Sequence, residues 1–205
     1  MDYRTGNNTI ADSCFICHYT INLKSGAALK LNRCRHIIHM SCGAKILQCQ
    51  SLTTYFQCPI GKNIQGTKIG NQLLGGKMTA TKSRKSLPGF PRSEMLTITY
   101  DFDMGIQGQK HPNPSKPYGC HGFPRPAYLL DTAAGRKVLL MLEQAFERCL
   151  IFTVGHSLTT GRDDIIIWNG ISHKTFKDVM NSPHGFPVAN YLTKVLKELK
   201  DHGKH

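Results

Sequence analysis

Acidic side chains are scarce in this chain. Thirteen Asp and Glu face 26 Lys and Arg, a net charge of +13 over 205 residues. Such a balance gives a basic surface that attracts polyanions: nucleic acid, anionic lipid or a phosphate-bearing ligand. The basic residues are scattered, with one cluster at Lys77, Lys82, Arg84, Lys85 and Arg92. Aromatic rings do not interleave with it as they do where bases stack, so nucleic acid is not the expected partner. Long apolar runs are also missing. No stretch of eighteen such residues exists, which excludes a spanning helix, and no membrane partner is expected. There is no internal repeat and no heptad pattern. Residues 1–12 are polar with a single Arg and make no secretory signal. The cysteines are therefore expected in a reducing compartment, cytoplasmic or nuclear, where thiols favour zinc over disulfides. Apolar content is 40%, normal for a globular chain and too high for disorder. The length suits one ordinary domain and a small one.

Cysteine is abundant, and unevenly placed. Six of the eight fall between positions 14 and 58. The run is Cys14-x2-Cys17, sixteen residues, Cys34-x-His36-x2-His39-x2-Cys42, fifteen residues, then Cys58-Pro59-Ile60-Gly61. Two residues between thiolates let both sulfurs of one tight turn reach a single Zn2+. So short a segment with little apolar matter cannot bury a sufficient core, so metal would have to supply folding energy.

The rest of the chain reads as α+β. Residues 1–12 are a leader, 13–66 a zinc module, and 67–205 a larger domain. Gly43 to Gln50 fits a short helix. Gly66 to Gly89, rich in Gly, Lys, Thr and Ser, reads as a linker or irregular strands. Leu96, Ile98, Tyr100 and Phe102 alternate with polar residues as a half-buried strand does. Gly105 to Gly122 is a long loop. Arg136 to Leu150 carries Val138, Met141, Leu142, Ala145 and Cys149 at helical spacing, with Cys149 expected in the core. Leu150–Val154 and Asp164–Trp168 are β-rich, and Tyr191–Leu199 is a terminal helix. Strands and helices mixed irregularly make an α+β domain of about 130 residues.

The ligand order of the first segment resembles a RING finger, the cross-braced two-zinc module of ubiquitin ligases. That resemblance implies one site from Cys14, Cys17, His39 and Cys42, and a second from Cys34, His36 and Cys58. The eighth ligand position is Gly61. Water, Cys49 or a nearby polar group would have to complete that tetrahedron; otherwise the site is weak or empty. The family's groove for the ubiquitin-conjugating enzyme maps to Ile16, to Ile46 or Leu47, and to Pro59. Local packing explains the two helix positions equally well.

The second segment carries Ser86-Leu87-Pro88-Gly89, Gly105-Ile106-Gln107-Gly108, His111-Pro112-Asn113-Pro114, Gly122-Phe123-Pro124-Arg125, Phe152-Thr153-Val154-Gly155, Thr159-Thr160-Gly161 and His173-Lys174-Thr175. Together with the zinc module, these resemble the Deltex ubiquitin ligases from residue 14 to about 203. The resemblance implies a RING that recruits a ubiquitin-loaded conjugating enzyme, followed by a Deltex C-terminal domain that binds ADP-ribose or NAD. Implied partners are ADP-ribosylated proteins and, in the family, Notch pathway proteins. The implied catalytic residue is Glu198; its bland reading is a solvated helical carboxylate. The implied ligand contacts are Thr159, Thr160, Gly161, His184 and Phe186, the last offering a ring for stacking. The chain departs from the family at Gly61, at Ser172 where the family has a catalytic His, and at Leu158 where the groove has Ser. The alternative to a ligase is a non-catalytic ADP-ribose- or partner-binding protein with a degenerate RING.

Overall fold

The computed structural model describes residues 13–22, 27–32, 34–49, 55–177, 184–186 and 190–202, with backbone only at 48 and 49. The leader expected at 1–12 lies outside the described residues. The chain divides into two compact units, Met1–Lys68 and Ile69–His205.

In the first unit, strand β1 (Ala28–Lys30) pairs antiparallel with β2 (Ile37–His39), and helix α1 (Met40–Cys49) follows directly. Strand β3 (Tyr55–Gln57) pairs with β4 (Ile64–Gly66). Its buried cluster is Cys14, Ile21, Leu31, Ile38, Cys42, Phe56 and Cys58. Three of these are thiols, so apolar burial alone cannot carry the fold.

The second unit is built on a sheet of strand order β5-β6-β9. Strand β5 (Lys77–Leu87) turns at Gly89, held at φ 80°, into β6 (Phe90–Asp101). Of the two readings of 66–89, linker or irregular strands, the second holds for Lys77–Leu87, a strand with register shifts near its end. It forms the sheet's edge, and nearly all of its side chains are exposed, so no apolar alternation marks it. Strands β7 (Gly105–Ile106) and β8 (Pro117–Tyr118) pair within the long loop. Strand β9 (Arg125–Leu130) closes the sheet against β6, with Ile98 opposite Ala127.

Helix α2 (Ala133–Glu147) starts where the Thr132 hydroxyl accepts from the Gly135 N–H, and it buries Val138, Met141, Leu142 and Ala145. It ends at Arg148, so Cys149 is no helix residue. Cys149 takes a left-handed φ of 58° and is half-buried rather than in the core. Its carbonyl accepts from Gln72 N–H, and Gly70 N–H donates to Arg148 O. A Cβ on Gly70 would lie 1.9 Å from that Cys149 oxygen, so only glycine fits. Strand β10 (Phe152–Gly155) pairs with β11 (Ile165–Trp168), and helix α3 (Tyr191–Asp201) buries Tyr191, Val195 and Leu199. The alternating strand and both amphipathic helices lie where their periodicity puts them. Tyr100, Phe102, Phe152 and Trp168 pack ring against ring at the centre. Tyr128 N–H of β9 donates to Lys174 O, which sets residues 171–177 beside the sheet.

Candidate functional site

The first unit gathers its thiols and imidazoles at two points. The ligand atoms of Cys14, Cys17, His39 and Cys42 all lie within 4.8 Å of one another, as do those of Cys34, His36 and Cys58. Cys17 Sγ and His39 Nδ1 are 3.3 Å apart; Cys58 Sγ and His36 Nδ1 are 3.4 Å apart. A tetrahedral zinc with ordinary Zn–S and Zn–N bonds sets such an edge at about 3.6 Å, so the donors fit the ion. The other ring nitrogen of His39, Nε2, donates to Thr20 O at 3.3 Å and leaves Nδ1 for metal. Burial pushes the Cys14 thiol up, but backbone groups of His39, Cys17 and Ile16 outweigh it and bring it to about 6. Burial and the neighbouring Cys17 and Cys14 push Cys42 up to about 11. Packed this closely, three thiols cannot all ionise unless a cation joins them. Both clusters can bind zinc.

The clusters form as they do because two turns repeat one hydrogen-bond pattern. In the first, His18 N–H donates to Cys14 O at 2.7 Å and Cys14 N–H to Tyr19 O at 2.9 Å. In the second, Lys62 N–H donates to Cys58 O at 2.8 Å and Cys58 N–H to Asn63 O at 2.9 Å. His18 and Lys62 share a left-handed φ, 61° and 54°. Bond for bond, Gly61 therefore stands where Cys17 stands. The Cys49 side chain, considered as a replacement ligand, lies outside the described residues.

Of the implied docking positions, Ile16 is half-buried and Pro59 exposed. Leu47 is also exposed and borders a cavity of about 320 Å³ with Leu29, Leu31, Tyr55 and Phe56. Ile46 packs instead against the same buried cluster as Ile16.

In the second unit, Glu198 on α3 meets Ser172. Glu198 Oε2 accepts from Ser172 N–H at 2.7 Å, and Oε1 accepts from the Ser172 hydroxyl at 2.8 Å. Tyr191 O–H donates to Ser172 O at 3.3 Å. Glu198 is thus no merely solvated carboxylate; both of its oxygens are engaged. The next residue faces the other way. His173 Nδ1–H donates to Ile171 O at 2.8 Å, and Nε2 accepts the Tyr100 hydroxyl at 2.9 Å. Its ring stacks on Trp168 at 4.2 Å. Full burial drives His173 down to about 4, against a small opposing pull from the Ile171 carbonyl. It is a neutral core residue and cannot stand in for a base at 172.

The implied ligand contacts come from two stretches of the second unit. Thr159, Thr160 and Gly161 form an exposed turn between β10 and β11. Thr160 N–H donates to Ser157 Oγ and Gly161 N–H to Ser157 O, so both amides close the turn. Leu158 beside them is 94% exposed. His184 is exposed, and its carbonyl accepts from Phe176 N–H. Phe186, expected to stack on a ligand, is 3% exposed and packs edge-on to Phe90 and Tyr191. It borders a cavity of about 300 Å³ with Phe90, Leu130, Asn190 and Tyr191. The Tyr191 bond to Ser172 and the repeated turn were missed at the sequence level. The second had a weak signal: Cys-Phe-Ile-Cys-His and Cys-Pro-Ile-Gly-Lys share Cys and Ile at the same spacing.

Residues 69–204 match the Deltex C-terminal domain family. The chain is 45% identical over 174 residues to E3 ubiquitin-protein ligase DTX1 of Homo sapiens, covering 85% of this chain and 28% of that protein. It is equally similar, with the same coverage, to E3 ubiquitin-protein ligase DTX4 of Mus musculus. With Probable E3 ubiquitin-protein ligase DTX3 of Homo sapiens it shares 38% over 177 residues, 86% of this chain and 49% of that protein. The chain thus spans from about a quarter to half the length of these relatives. A matched domain filling most of the second unit, preceded by paired Cys and His clusters, makes this chain a member of the Deltex family.

Proposed function

We propose that this chain is a RING-type ubiquitin ligase that recruits a ubiquitin-loaded conjugating enzyme and promotes transfer to substrate lysines. The observation that carries the reading is the convergence of Cys14, Cys17, His39 and Cys42 in a chain of this family. Zinc held there would supply folding energy to a unit whose own core is small. Ile16 and Pro59, held by the two turns, with Leu47 on α1, form the surface offered to the conjugating enzyme. That enzyme carries the reactive cysteine, so this chain needs no nucleophile of its own. Its contribution is to hold the loaded partner in a reactive geometry.

ADP-ribose or NAD, and proteins bearing ADP-ribose, are the proposed ligands of the second unit. Transfer of ubiquitin to an ADP-ribose hydroxyl needs a group that takes its proton. A serine hydroxyl does not do this near neutral pH, and here Ser172 donates its own proton toward Glu198. Lysine is therefore the favoured acceptor. The second reading is a non-catalytic binding module with a degenerate RING; Gly61 and Ser172 favour it. Discharge of ubiquitin from a loaded conjugating enzyme separates the two. The ligase accelerates discharge, and Ile16→Ala removes most of the acceleration. No acceleration by the unaltered chain would leave the binding module.

A further inference from the structure

The two turns that carry Cys14 and Cys58 are built alike, but only one holds a second thiol. Gly61 N–H donates to Cys58 Sγ at 3.3 Å, the bond that a metal-binding turn offers its leading thiolate. A Cβ built on Gly61 would lie 3.0 Å from Cys34 Cβ and 3.3 Å from His36 Cε1. The missing side chain would therefore point at the cluster. Asn63 Nδ2 donates to Gly61 O at 3.1 Å, which holds the turn in this shape without a fourth ligand. Gly61, Pro59 and Ile60 are exposed, so the gap lies on the solvent side. The leading thiols of both turns, Cys14 and Cys58, are fully buried, so the clusters differ at the turn position of Cys17 and Gly61 rather than in depth.

We infer that the second metal centre is an open Cys2His site whose fourth position, beside Gly61, takes an external small thiolate. Three protein ligands with an open place is the coordination that keeps a zinc exchangeable; four closes it. A thiolate suits the gap because the twin turn puts one there, at Cys17, and because the metal already carries two soft sulfur donors. The inference rests on the zinc-binding part of the proposed function. It adds that the two centres differ: the first is closed and slow to exchange, the second is open and fast. Loss of a supporting partner of a metal ligand costs roughly 10–100-fold in affinity, so loss of a ligand itself should speed release by at least about tenfold.

The test uses the full chain loaded with two equivalents of Co2+, whose bonds to thiolate absorb in the near ultraviolet. Titrating 2-mercaptoethanol should add absorbance that saturates at one thiol per chain. Gly61→Cys should start at the higher absorbance and gain nothing. With zinc in place of cobalt, a chelator should strip the wild-type chain in two phases, the first at least about tenfold faster than the second. That wild-type measurement stands even if the variant does not fold. Full absorbance without added thiol would mean that a group of the protein closes the site, and would overturn the inference. A single slow phase of release would overturn it too. A chain that takes up no Co2+ at either cluster would sink the zinc reading along with it.

Discussion

The buried imidazole of His173 makes the stability of the second unit depend on pH. Its ordinary value of 6.5 falls to about 4 in the fold, because burial disfavours the cation. The unfolded chain therefore binds a proton over a range in which the folded chain does not. Stability from this group is complete above about pH 6.5 and is lost as pH falls toward 4. At about 1.4 kcal/mol for each pH unit between those values, the whole effect is about 3 kcal/mol, of which about 2 are gone by pH 5. Trp168 is the only tryptophan of the chain and stacks on this ring, so its fluorescence reports the unit that contains it. Urea unfolding followed by Trp168 at pH 7.5, 6, 5 and 4.5 should give a falling midpoint. His173→Phe keeps a ring against Trp168 but cannot titrate. It should be less stable at pH 7.5, through losing the bonds to Tyr100 and Ile171, and should show a flatter pH profile. Parallel profiles for the two proteins would refute the reasoning, because carboxylate titration elsewhere is common to both.

Gly70→Ala should destabilise the second unit by about 3 kcal/mol, from overpacking and strain on two backbone hydrogen bonds. The Cβ would meet backbone that cannot move aside, and thermal unfolding measures the loss. Ser172→His should raise ubiquitin transfer to ADP-ribose by about a hundredfold or more, the contribution of a positioned base. The readout is the ubiquitin–ADP-ribose product; no gain, with ADP-ribose binding unaltered, would mean that more than this residue has been lost.

What the sequence reveals here follows the range of the forces involved. Metal-ligand spacing is set by bond lengths within one turn, so Cys14 with Cys17 and His39 with Cys42 read as ligand pairs from the sequence; that the two pairs share one site was implied by the RING resemblance, and the structure brings them together. Strand β6 and helices α2 and α3 each bury one face, and their apolar periods show it. Strand β5 has no such face, and its Lys, Ser and Thr left linker and irregular strand undecided. Cys149 follows the helical period by spacing alone; the chain has already turned at Arg148. Phe186 is an aromatic beside a family motif, and nothing local says that Phe90, far earlier in the chain, will cover it. The link between Ser172 and Glu198 spans 26 positions and depends on how α3 docks.

The outer rim of the three-stranded sheet has a bearing on how this molecule behaves in company. Among the described residues no strand pairs with the outer side of β5, the kind of edge on which chains of one sort stack into ribbons. Lys77, Arg84 and Lys85 stand exposed along it. Lys82 is anchored by Glu94 and Asp131. Two such rims meeting would force cation against cation, so the rim resists self-association, most strongly in dilute salt.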